Sequence, residues 1–180
     1  DIRVPRPFGC VDGVLLMELI VDDEGHVAPR LADVVLGSDE ARQDHKTMIR
    51  YLVGMLCVGI VHGDLSEFNV LLDSEGPVVI DLPQAVDASA NNQAEAMFAR
   101  DVNNMRAYYG QSAPELLETQ YAAEIWALYA EGDLTPDSVV TGQYDFDDST
   151  ADVGEMLTAI ESVIAEEAEK QERIREAAEL

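Results

Sequence analysis

The stretch "VHGDLSEFNVLLDSEGPVVIDLPQ", residues 61–84, restricts the fold of this chain more than any other segment. Two apolar runs, "NVLLD" and "PVVIDL", flank "SEG", which is the pattern of two short strands joined by a tight hairpin. In an antiparallel pair the start of the first strand lies beside the finish of the second. Asn69 and Asp81 are therefore expected neighbours, with Asp64 on the loop just before them. An unpaired carboxylate costs several kcal/mol near a core, so placing two there calls for a compensating partner. Two carboxylates and an amide oxygen are hard ligands. They suit Mg²⁺, which takes one or two carboxylates and fills its other positions with water and phosphate oxygens. Such an ion also offsets the repulsion between the acids.

The flanking segments predict an α+β fold that is mostly helical. Residues 1–20 read as two short strands, with Pro5 and Pro7 keeping the first at an edge and Asp12-Gly13 as the turn. After a polar loop over 21–29, "PRLADVVLG" predicts a short helix that starts near Pro29 and stops at Gly37. A longer helix is expected over 39–58, with Ser38 as N-cap, Asp39 and Glu40 at its positive end, and Met48, Leu52, Met55 and Leu56 at helical spacing. Another is expected over 91–109, with Ala94, Phe98, Val102, Met105 and Tyr109 on one face. Asp101 falls on that apolar face, so its carboxylate needs buried donors. Ser112 and Glu115 predict a capping box for a helix carrying Leu117, Tyr121, Ile125 and Leu128 and closed by Gly132. Ser149 and Asp152 repeat that signature before Val153, Leu157, Ile160 and Ile164, and an acidic tail follows.

Charge narrows the function classes. Thirty-six Asp and Glu against 11 Lys and Arg give the 180-residue chain a formal net charge of −25. No basic stripe is available to replace counterions on nucleic acid, and an anionic membrane surface would repel such a protein. A cytoplasmic location is expected, with no membrane span and no signal peptide. Cys10 and Cys57 sit in apolar settings and read as small buried hydrophobes, while His26 and His45 read as exposed.

His62, Asp64 and Asn69 form H-x-D-x-x-x-x-N, and Asp81 closes the next hairpin, the order used for phosphoryl transfer by protein kinases. Gly63 stands where ordinary protein kinases carry Arg, Ser66 where they carry Lys, and "IDLPQ" replaces Asp-Phe-Gly. With "RVPRPFG", "VLLMELI", "APRLADV" and "RDVNNMRAYY" in the expected order, the chain resembles the RIO family of atypical Ser/Thr kinases and ATPases over residues 3–110.

The resemblance implies a kinase-like C-terminal lobe over 21–150, a remnant of N-terminal-lobe strands and hinge over 1–20, and a C-terminal acidic helix over 151–180. It implies ATP and Mg as cofactors and a protein substrate, the protein itself included. Asp64 then corresponds to the catalytic-loop acid that orients the attacking hydroxyl. Asn69 and Asp81 correspond to the metal ligands, and Asp81 to a transient phosphoryl acceptor. Met17 resembles the gatekeeper beside adenine, and the Glu18 carbonyl and Ile20 amide would bond the adenine edge. Ser66 reads either as a γ-phosphate contact or as a loop hydroxyl bonding local backbone. His62 braces the loop. Asp101, with Arg100 and Asn104, supports it through backbone N–H groups. No G-x-G-x-x-G loop and no strand Lys lies upstream of the hinge, so the chain alone is expected to bind ATP weakly and not to turn over. Two other classes stay open. One is a small-molecule phosphotransferase of the aminoglycoside or choline type, which shares H-G-D-x-x-x-x-N. The other is a non-catalytic nucleotide-sensing scaffold.

Overall fold

The computed structural model describes residues 2–144 of the 180. Strands β1 (Pro7–Val11) and β2 (Val14–Met17) form an antiparallel hairpin, and Val11 faces Val14 across a two-residue turn. Asp12 and Gly13 both have positive φ, 52° and 79°, the requirement of the turn whose twist matches paired strands. Three helices make the core: α1 (Ser38–Cys57), α2 (Ala94–Gly110) and α3 (Tyr121–Glu131). Met48, Leu52 and Leu56 of α1 meet Phe98, Val102, Met105 and Tyr109 of α2, and Ile125 of α3 joins them, all buried. Each such side chain contributes about 1.5–3 kcal/mol of transfer free energy.

The strands pair into three small two-stranded ribbons. Besides β1–β2, β3 (Ile60–Val61) pairs with β6 (Val86–Asp87), and β4 (Val70–Asp73) pairs with β5 (Gly76–Val79). The described residues form an α+β fold, mostly helical with short antiparallel strand pairs. The N-terminal segment is tied to the β4–β5 hairpin. Val79 N–H donates to the Arg3 carbonyl at 2.9 Å, and the Arg3 guanidinium grips both Asp73 oxygens at 2.8 and 2.5 Å. That grip holds the Asp73 carboxyl below its ordinary range. Ile20 forms a second, smaller core with Ala28 and Val78.

Several expectations need correction. The segment 29–37 makes only one 3₁₀ turn, Leu31–Asp33. Its backbone bonds elsewhere: Ala32 N–H donates to the Glu67 carbonyl at 3.0 Å, and Leu72 N–H to the Pro29 carbonyl at 2.9 Å. Gly37, not Ser38, is the N-cap of α1, and its N–H donates to the Glu40 carboxylate at 2.8 Å. Ser112 and Glu115 do not box a helix. Arg42 Nε takes the Glu115 carboxylate, Pro114–Glu118 forms a 3₁₀ turn, and Leu117 folds back onto Gly110. Neither Asn69 nor Asp81 lies in its strand: β4 starts at Val70, just after Asn69, and β5 ends at Val79, two residues before Asp81. Cys10 is exposed and Cys57 half-buried, with both thiols free. His45 is buried, whereas an exposed site was expected. The helix expected after Ser149, and the 151–180 segment as a whole, lie outside the described residues.

Candidate active site

The loop 62–69 runs from β3 to β4 and is held from two sides. From beneath, Asp101 of α2 sends both carboxylate oxygens into it. Oδ2 accepts from Gly63 N–H at 2.8 Å and Oδ1 from Leu65 N–H at 2.9 Å. Asp101 is fully buried, so desolvation pushes its pKa up while the two amide donors and Arg100 oppose that rise. One turn on, Asn104 Nδ2 donates to the Leu65 carbonyl at 2.9 Å, and Arg100 donates to the Gly63 carbonyl. Gly63 and Leu65, the residues on either side of Asp64, are thus both fixed by α2.

From the side, His62 bridges the loop to the segment after β5. Its Nε2 lies 3.0 Å from the Ile80 carbonyl, and its Nδ1 accepts from Asp64 N–H at 3.3 Å. The Ile80 oxygen can only accept and the Asp64 amide can only donate. The two bonds together select the Nε2-protonated tautomer.

Asp64 is half-buried at the top of the loop. Asn69 Nδ2 donates to its carbonyl at 2.8 Å and lies 3.4 Å from its Oδ2. This leaves the Asn69 side-chain oxygen directed away from that carbonyl. The register of β4 and β5 pairs Val70 with Val79, and Ile80 N–H donates to the Asn69 carbonyl at 3.0 Å. Ile80 is thus the residue bonded to Asn69, and Asp81 is the next residue past it. Its backbone is left-handed, φ 64°, which Asp tolerates better than most side chains. Its exposed carboxylate has no hydrogen-bond partner among the described residues. No three His, Cys, Asp or Glu side chains converge anywhere among the described residues, so a cation here would rely on the Asn69 amide oxygen and on non-protein ligands. That mixed hard-oxygen set fits Mg²⁺.

The remaining expected residues lie along the hinge and loop. Met17 is half-exposed at the end of β2. The Glu18 amide donates to the Arg6 carbonyl at 2.9 Å, while the Glu18 carboxylate accepts from Arg6 N–H at 3.0 Å. The Ile20 carbonyl accepts from Ala28 N–H at 3.0 Å. The Glu18 carbonyl and the Ile20 amide have no protein partner among the described residues. Ser66 accepts from Asn69 N–H through its carbonyl at 3.0 Å, and its hydroxyl has no protein partner among the described residues. Sequence reasoning gave no role to Gln84, whose amide donates to Asp64 Oδ2 at 3.2 Å. Only its place in "IDLPQ", three residues after Asp81, could have pointed to it.

A helical lobe whose glycine-bent loop faces a short hairpin is the arrangement of the protein-kinase-like class. Within that class the chain belongs to the RIO family: the model described as the RIO domain matches residues 1–122. The RIO-type serine/threonine-protein kinase Rio1 of Haloferax volcanii is 36% identical over 110 residues, 60% of this chain and 36% of that protein. Rio2 of Methanocaldococcus jannaschii is 33% identical over 110 residues, 60% of this chain and 39% of that protein. The human serine/threonine-protein kinase RIO1 is 36% identical over 88 residues, 48% of this chain and 15% of that protein. The match thus spans well under half the length of these relatives.

Proposed function

We propose that this chain supplies the catalytic loop and metal ligands of an atypical serine/threonine kinase or ATPase acting on Mg·ATP. The observation that carries this reading is the convergence at Asp64. The loop that bears it is fixed by buried Asp101, Asn69 is bonded to it, and Asp81 follows directly on the residue paired with Asn69.

Asp64 orients the attacking hydroxyl or water and accepts its proton as the γ-phosphoryl group transfers. Asn69 and Asp81 would hold the metal. When bound, the ion would neutralise charge that develops on the phosphates. Asp81 is also the candidate for transient phosphorylation. The unbonded Glu18 carbonyl and Ile20 amide offer the adenine edge an acceptor and a donor beside Met17, and the unbonded Ser66 hydroxyl offers a donor to the γ-phosphate side. Asp101, His62, Arg100 and Asn104 keep the loop in place. The substrate is a protein hydroxyl, this protein's own included, and the setting is the cytoplasm. Among the described residues, no helix is long and apolar enough to cross a membrane.

The test is labelled-phosphate transfer by the full protein with Mg·ATP, offered water, itself, a generic protein or an aminoglycoside. Turnover or protein labelling that falls roughly 10²–10⁴-fold in both Asp64→Ala and Asp81→Ala supports the reading. Transfer to the aminoglycoside would replace it with a small-molecule phosphotransferase. No transfer by the wild-type protein, with nucleotide still bound, would leave a nucleotide-sensing scaffold, and transfer indifferent to both substitutions would overturn the reading. The 180-residue chain alone is expected to turn over far more slowly than the full protein.

A further inference from the structure

The turn after Asp81 is built to hold one side chain still. Ala85 N–H donates to the Leu82 carbonyl at 3.0 Å, closing a β-turn with Pro83 and Gln84 at its centre. Proline at the first central position fixes φ near −65°. The turn is fixed at both ends. Asp81 precedes it in a left-handed conformation, and β6 follows it, paired with β3 just before His62. Its middle is pressed on the catalytic loop, where the Gln84 carbonyl lies 2.9 Å from the point a Cβ on Gly63 would occupy. From this platform Gln84 Nε2 donates to Asp64 Oδ2 at 3.2 Å. Asn69 Nδ2 is 3.4 Å from the same oxygen but is committed to the Asp64 carbonyl at 2.8 Å. Asp64 Oδ1 has no protein partner among the described residues.

We infer that Gln84 is a positioning residue for Asp64, an inference that rests on the phosphoryl-transfer reading above. Its amide fixes Oδ2, which sets the carboxylate plane and presents Oδ1 to the incoming hydroxyl. Being neutral, it does this without bringing a second formal charge to the carboxylate. In the step it serves, the hydroxyl O–H bond breaks and its proton passes to Oδ1. A P–O bond forms to that hydroxyl oxygen, and the bond from the γ-phosphorus to its bridging oxygen breaks to release ADP. Orientation of this kind acts on the chemical step rather than on nucleotide binding.

The test uses Gln84→Met, which keeps the shape and removes the donor, in the full protein and in an Asp64→Asn background. The expected result is a kcat lowered about tenfold with KM for Mg·ATP within about twofold, and no further loss in the Asp64→Asn background. A kcat within about twofold of wild type, or an equal loss with Asp64 already replaced, overturns the inference and leaves the phosphoryl-transfer reading intact. Turnover that Asp64→Ala does not change overturns both. As a readout independent of activity, Asp64→Ala should shift the Gln84 side-chain ¹⁵N–¹H resonances of the 180-residue chain. Unmoved resonances would show that the bond does not form and would also overturn the inference.

Discussion

Gly63 has no room for a side chain. Its φ is +82°, and an added Cβ would stand 2.6 Å from Met97 Cε and 2.9 Å from the Gln84 carbonyl oxygen. The methionine end can swing aside, but a backbone carbonyl in a proline-fixed turn cannot. Gly63→Ala should therefore destabilise the protein by about 1–3 kcal/mol, read as a lowered urea midpoint, and lower turnover further by moving Gln84. An unchanged midpoint would mean that the turn yields. Asp101→Asn keeps the size of the side chain but offers one acceptor oxygen to two buried amides. It should cost about 2–3 kcal/mol in the same measurement. Asp101 was legible in the sequence because a carboxylate on an apolar helix face announces a need for donors. His45 carried the same kind of signal: it lies four residues after Ala41 and three before Met48, on the buried stripe of α1. Gln84 was not legible, because periodicity says nothing about where a turn residue points.

Helix α1 carries two adjacent groups that answer acid in opposite senses. His45 is wedged against Tyr109 and Tyr121, with ring centroids 5.8 and 5.6 Å away, and its Nε2 has no hydrogen-bond partner among the described residues. Burial, helped by Arg106, pushes its pKa down from 6.5 to about 4. Between those values the unfolded chain binds the proton and the folded one does not, so stability falls as pH falls, by at most about 3 kcal/mol in all. Asp44 is pushed up from 3.8 to about 6 by burial and by Glu40. Here the folded chain takes the proton first, so its contribution rises as pH falls through the same window. His45→Phe should therefore make the protein less acid-sensitive than wild type between pH 6.5 and 4, and Asp44→Asn more so. Urea midpoints taken at several pH values decide it, and parallel curves for the three proteins would refute the assignment. At this scale the sequence was legible where an element stabilises itself. The lengths of α1 and α2 and the β4–β5 hairpin follow from local period and turn chemistry. It failed for 29–37 and 112–118, whose conformations are set by distant partners: the Glu67 and Leu72 backbone for the first, Arg42 for the second.

At the scale of the molecule, charge and apolar exposure work against each other. A net charge of −25 makes the surface repel itself within one copy and between copies. The β1–β2 hairpin meanwhile exposes Phe8, Val11, Val14 and Leu16, apolar side chains that copies of the chain would bury if they could approach. Salt screens the repulsion, since the screening length falls from about 30 Å at 0.01 M to about 3 Å at 1 M. Two consequences separate cleanly. Raising NaCl should raise the thermal midpoint, because folding concentrates the negative charge, and an uncharged osmolyte at equal osmolality should not reproduce the whole rise. The same salt should also promote self-association in sedimentation velocity. Phe8→Glu, which adds a charge to the hairpin, should abolish the association while keeping the salt-driven rise in midpoint. If the substitution removed both effects, the stabilisation would come from association rather than screening. If salt lowered the midpoint, paired contacts such as Arg3–Asp73 would outweigh the general repulsion.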